Sequence, residues 1–121
     1  MEHHLHWIAQ SPDLIAQVRR FKSYIARRII DDLTERGSGW ALRQLANHKK
    51  QHKNDQRFQL WQEGNHPKQI VGRTMMTQKI RYIHQNPVRR GYVDLPEHWR
   101  YSSARDYNDR QGPVPITKVA W

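Results

Sequence analysis

The sequence predicts an α+β fold in which helices pack on one face of an antiparallel sheet. Three observations carry that expectation. Leu5–Ala9 (Leu-His-Trp-Ile-Ala) reads as a short strand near the N-terminus. A long amphipathic stripe follows it. Further on, Phe58, Leu60 and Trp61, a Gly64-Asn65 turn and the run Lys68–Val71 read as a hairpin ahead of a second amphipathic helix. The order strand, helix, strands, helix is an α+β order. Only two or three strands are visible, so such a sheet would have a bare edge and a thin core.

The elements follow from local chemistry. Ser11 and Pro12 are a helix start, a capping hydroxyl followed by a proline at the first helical position. Leu14, Ile15, Val18, Phe21, Ile25 and Ile29 recur at spacings of one, three or four and give the helix an apolar stripe. Its polar side carries Arg19, Arg20, Lys22, Arg27 and Arg28, and Gly37 and Gly39 stop it. Trp40–Asn47 reads as a short helix, and His48–Arg57, polar and basic, as a loop. Thr74 is placed to cap the second long helix, whose stripe is Met76, Ile80 and Ile83. Pro87 ends that helix, because the residue before a proline disfavours the helical region. Gly91–Trp99 is irregular, and Ser102 or Ser103 starts a last helical turn through Tyr107. Residues 1–110 read as a single domain and 111–121 as an extended tail.

Composition narrows the function. The chain has 121 residues, with 21 Lys plus Arg against 11 Asp plus Glu and a formal charge of +10. That excess favours an anionic partner, nucleic acid first. An anionic membrane fits less well, since no stretch concentrates both the charge and an apolar face. The five Trp and five Tyr offer core bulk or surfaces for stacking bases. With no cysteine, disulfides, thiolate metal sites and cysteine catalysis are excluded. No apolar run is long enough to span a membrane and no signal peptide is evident, so the expected location is the cytoplasm.

Three constellations could carry chemistry. On a strand, His4 and His6 would point to the same face, as two ligands of one metal must, with Leu5 toward the core. The bland alternative is surface histidine enrichment, which the neighbouring His3 suits. Tyr82 and Asn86, four apart, share a helix face one turn from each other. Tyr82 sits beside the apolar stripe, where its hydroxyl could reach outward, and Asn86 could offer an amide oxygen to a hard metal ion. Alternatively, Tyr82 packs on the flank of the core and Asn86 is a turn residue before Pro87. Arg89 and Arg90, with Lys79 and Arg81 nearby, suit either phosphate contact or the negative end of the helix dipole.

Taken together, these segments resemble the REP-associated tyrosine transposases, part of the wider group of single-tyrosine transposases with a His-hydrophobe-His motif. Met1-Glu2-His3-His4-Leu5-His6-Trp7 is similar to the segment that carries the family's His pair. Arg20-Phe21-Lys22-Ser23-Tyr24 is similar to the start of the helix after it, and Phe58-Gln59-Leu60-Trp61-Gln62-Glu63-Gly64 to a Trp-Gln-x-Gly strand end. The stretch Lys79 to Val93, with Tyr82-Ile83-His84-Gln85-Asn86-Pro87-Val88 at its centre, is very close to the family's tyrosine helix, and Pro96 to Ala104 continues it. The resemblance runs to about Tyr107. Its specificity lies in the Tyr-Ile-x-x-Asn-Pro-Val core and in that core's order after the His pair.

The resemblance implies a ferredoxin-like antiparallel sheet presenting the His pair beside the tyrosine helix. Family members usually begin some tens of residues earlier, so the sheet expected here lacks the first strand and helix. Glu2 and His3 replace the family's usual Pro-Asn, and Asn65 stands where an aromatic is common. Carried over by position, His4, His6 and Asn86 would be ligands of Mg²⁺ or Mn²⁺ and Tyr82 the nucleophile. The substrate would be single-stranded or hairpin DNA, with Arg19, Lys22, Arg89 and Arg90 as candidate contacts, and the chain would act as a monomer or a homodimer. The expected function is a transposase that nicks and rejoins single-stranded DNA through a 5′-phosphotyrosine. Two other readings stand beside it. One is a truncated or repurposed relative that binds DNA without cutting it. The other is a basic protein with surface histidines and no nucleic-acid role.

Overall fold

The computed structural model describes residues 4–49, 55–64 and 66–119. Met1, Glu2, His3 and Asn65, and residues 50–54 of the expected basic loop, lie outside the described residues. The chain forms two compact units, one of Ala9–His66 and one of Met1–Ile8 with Pro67–Trp121.

The expected antiparallel sheet is not there. The elements are α1 (Leu14–Glu35), α2 (Gly39–Asn47), α3 (Gly72–Arg89), a 3₁₀ turn (Pro96–His98) and α4 (Ala104–Tyr107), with no strand among the described residues. The physical reason is visible in where each expected strand makes its bonds. Of Phe58–Trp61, the Gln59 N–H donates to the Leu45 carbonyl at 3.1 Å, one of the carbonyls left open at the end of α2. The Trp61 indole N–H donates to the Lys22 carbonyl of α1 at 2.8 Å, and its ring lies 6.4 Å from that of Phe21. Lys68–Val71 runs straight into α3, and Ile70 lines an apolar hollow with Met76 and Thr77 of that helix. Leu5–Ala9 sends His6 onto α3. Each apolar run is thus bonded to a helix instead of a neighbouring strand.

In the Ala9–His66 unit, α1 packs on α2. α1 starts later than Ser11 and Pro12 suggest. Ser11 Oγ accepts the Asp13 N–H at 3.2 Å, and Asp13, at the cap, gives its carbonyl to the Gln17 N–H. The apolar stripe is only partly covered. Val18, Phe21 and Ile25 are half-buried, whereas Ile15 is 80% exposed. α1 ends as expected, at Gly37. The Gly37 N–H bonds the Thr34 carbonyl and the Ser38 N–H the Leu33 carbonyl, the paired closure that needs a left-handed residue between them.

In the other unit, α3 packs on the 3₁₀ turn, which in turn packs on α4. α3 begins at Gly72 with Val71 at the cap, so Thr74 lies inside the helix rather than at its start. Nor does Pro87 end it, because the helix continues to Arg89. Proline forfeits one donor but keeps a helical φ. The turn that contains it is closed from beyond: Arg90 N–H to Asn86 carbonyl, Gly91 N–H to Val88 carbonyl, Tyr92 N–H to Pro87 carbonyl. α4 starts after Ser103, and the Ser102 hydroxyl accepts the Ala104 N–H at 3.1 Å. The buried apolar side chains among the described residues are Ile80, at 6% exposure, Ala104, at 1%, and Pro87.

Gly37 (φ +65) and Gly91 (φ +72) occupy the left-handed region, and a Cβ at either would meet nothing within 4 Å. The cost of Gly37→Ala or Gly91→Ala is therefore conformational alone. Each should lower unfolding free energy by about 1–2 kcal/mol, read as an earlier urea midpoint by circular dichroism. An unchanged midpoint would show that the helix end is not held as described.

Candidate functional site

α3 and the segment before α1 build the site. α3 carries Tyr82 and Asn86 one turn apart. Asn86 is buried, while Tyr82, beside the covered stripe, is 48% exposed. A buried amide needs a partner. Asn86 finds it in His6, its Nδ2 donating to His6 Nε2 at 3.2 Å. The His6 ring also meets the Tyr82 ring edge-on, with centroids 5.9 Å apart and planes at 89°. The Arg89 guanidinium lies 6.0 Å from the centre of the Tyr82 ring. His6, Tyr82, Asn86 and Arg89 thus form one cluster at the C-terminal end of α3.

Burial, then the charges of His4 and Arg90, hold the His6 imidazole below its ordinary range. His4 is exposed and acts on His6 through charge. The structure therefore joins His6, Tyr82, Asn86 and Arg89 by direct contact and sets His4 and Arg90 within electrostatic reach of His6. Arg19 and Lys22 belong to the other unit. There Arg19 is exposed on α1, and the Lys22 ammonium stands 5.7 Å from the Trp61 ring.

His84 is a residue that the sequence motifs do not single out. It is half-buried on α3, its Nε2 2.9 Å from Ser103 Oγ and its ring 5.4 Å from that of Tyr107. These contacts tie the tyrosine helix to α4. Its position directly after Ile83 of the apolar stripe is the one signal the sequence offers.

The donor set can be tested for a divalent ion. Among the described residues, no group of three or more His, Asp or Glu side chains is placed to hold one. Two ligands at right angles, each roughly 2.1 Å from a hard ion, stand roughly 3 Å apart. His6 Nε2 and the Asn86 amide have that separation, and turning the amide over presents Oδ1 in place of Nδ2. An imidazole nitrogen and an amide oxygen suit Mn²⁺, and with more water Mg²⁺. With the amide turned, the pair could hold part of such an ion's shell, with His4 on the same short segment as the candidate third.

Comparison of the chain with models of known families, with curated proteins and with solved structures finds no match. The resemblance to the tyrosine transposases rests on the sequence motifs. Among the described residues, no helix is long and apolar enough to cross a membrane.

Burial lowers the proton affinity of His84, and burial and neighbouring charge that of His6. Both rings therefore take up protons more readily unfolded than folded. Their contribution to stability is complete above the ordinary value of 6.5 and is lost as pH falls through the lowered folded values. The urea midpoint should be lower at pH 5.5 than at pH 7.5, and His84→Gln should shrink that difference. Equal midpoints at the two pH values would contradict the assignment.

Proposed function

We propose that this chain nicks and rejoins single-stranded DNA, with Tyr82 as nucleophile and His4, His6 and Asn86 as the ligands of Mg²⁺ or Mn²⁺. The observation that carries the reading is the meeting of His6 with both Tyr82 and Asn86. Residues 80 positions apart in the chain, each notable for its own chemistry, share one cluster. Charge supports it, since a chain of formal charge +10 suits a polyanion.

In this reading a phosphate of the strand lies against the end of α3, with Arg89 and Arg90 as its cationic neighbours. Tyr82 Oη attacks the phosphorus in line with the 3′ oxygen. The new bond joins Oη to phosphorus, the P–O3′ bond breaks, and the phenolic proton is balanced by the one taken up at the departing 3′-OH. The product is a 5′-phosphotyrosine, which conserves the bond energy for rejoining when a 3′-OH attacks in reverse. The metal would polarise the phosphate and offset the charge building on its oxygens. His6 and Asn86 would supply the donors once the amide turns to present Oδ1, and the ring contact with His6 sets the tyrosine beside them. In this reading the chain works in the cytoplasm, as a monomer or a homodimer.

A second reading has its own observation. The His6–Asn86 hydrogen bond satisfies both groups without an ion, which suits a relative that binds DNA and does not cut it.

One experiment separates the two. Labelled single-stranded hairpin DNA is incubated with the protein and Mn²⁺, then resolved by denaturing electrophoresis. The expected result is a covalent protein–DNA band in the wild type, absent in Tyr82→Phe and strongly reduced in Asn86→Ala. Hairpin binding with no band would leave the binding reading and overturn the cutting one.

A further inference from the structure

We propose that Tyr92 and Tyr101, with Arg100, form a stacking platform for unpaired bases of the strand whose phosphate lies at Tyr82; this deepens the DNA reading above and rests on it. The platform begins where the site ends. Tyr92 is the second residue past the α3 C-cap, and its N–H is fixed to the Pro87 carbonyl at 3.0 Å, next to Asn86. Tyr92 is 44% exposed, and its ring lies 5.7 Å from that of Trp99 with the planes tilted by 40°. Trp99 is followed at once by Arg100 and Tyr101, and the turn is held by the Ser102 N–H on the Trp99 carbonyl. Tyr101 is 74% exposed, with the Arg100 guanidinium 5.8 Å from its ring centre.

Tyr101 presents most of its ring to solvent beside the Arg100 guanidinium. What it offers is a flat face beside a cation. Bases need such a surface when unpaired, since every base has a π-face and every linkage a negative charge. A duplex hides its base faces and would gain nothing from it. The arrangement therefore selects for single strands, and it does so without reading sequence.

The test uses the whole protein and two fluorescein-labelled hairpin oligodeoxynucleotides, one with an unpaired thymidine tail and one with an abasic tail of equal length. Affinities are measured by anisotropy at fixed salt with no divalent metal, so that cutting does not enter. The wild type should prefer the thymidine tail by roughly tenfold or more. Tyr101→Ala should lose most of that preference, and Tyr101→Trp should keep it. Because Tyr101 is so exposed, its substitution removes little packing, and far-ultraviolet circular dichroism checks that the variants fold. Equal binding of the two tails by the wild type, or a preference that survives in Tyr101→Ala, would overturn the platform. The covalent band with Mn²⁺ is read separately on the wild type. Its absence would sink the cutting reading, while the tail preference alone decides whether the platform stacks bases.

Discussion

The contact on which the site depends is the hydrogen bond between His6 and Asn86. In a sheet, neighbouring strands would hold the extended segment around His6 through backbone bonds. No ladder exists among the described residues, so the place of His6 beside Tyr82 is set by side chains. The bond requires a neutral imidazole with its Nε2 lone pair free, and partial burial with nearby positive charge favours that form. It also requires a fixed Asn86. That residue sits in the last full turn of α3, and its own carbonyl is tied to the Arg90 N–H. The closure through Gly91 thus holds the amide at one end and leads into Tyr92 at the other.

Much of the helical half of the structure is legible in the sequence. Spacing places α1 and α3, glycine places the end of α1, and Trp40–Asn47 is one residue short of α2. The expected sheet fails for a reason specific to short segments. Four or five residues with two to four apolar members satisfy an alternating pattern and a helix-facing pattern equally well. Phe58, Leu60 and Trp61 look like a strand, yet nothing local shows that the Trp61 indole N–H will reach the Lys22 carbonyl 39 positions away. Pro87 misleads in the opposite sense. The bias on the residue before proline is a preference, and here a well-capped final turn outweighs it.

The site is legible as two halves and not as a whole. Tyr82 and Asn86 share a helix face by simple geometry. The pairing of His4 and His6 depends on a strand, and without one the alternation that would aim both rings at one point loses its basis. The structure keeps His6 at the site and leaves His4 exposed. It also adds His84, whose bond to Ser103 fixes the tyrosine helix against α4.

The thinness of the interior gives the charge a further consequence. With Ile80, Pro87 and Ala104 the buried apolar residues among those described, stability leans on helix closures and a few side-chain hydrogen bonds, each worth about 1 kcal/mol net. A formal charge of +10 works against compactness by self-repulsion. A polyanion bound to the folded chain would offset that repulsion, cover open rings such as Tyr101, and stabilise the folded form by mass action. In that case a bound polyanion would be part of the fold's energetics. In the proposed reading, the arginines whose charge works against the free chain would help hold a single strand for Tyr82.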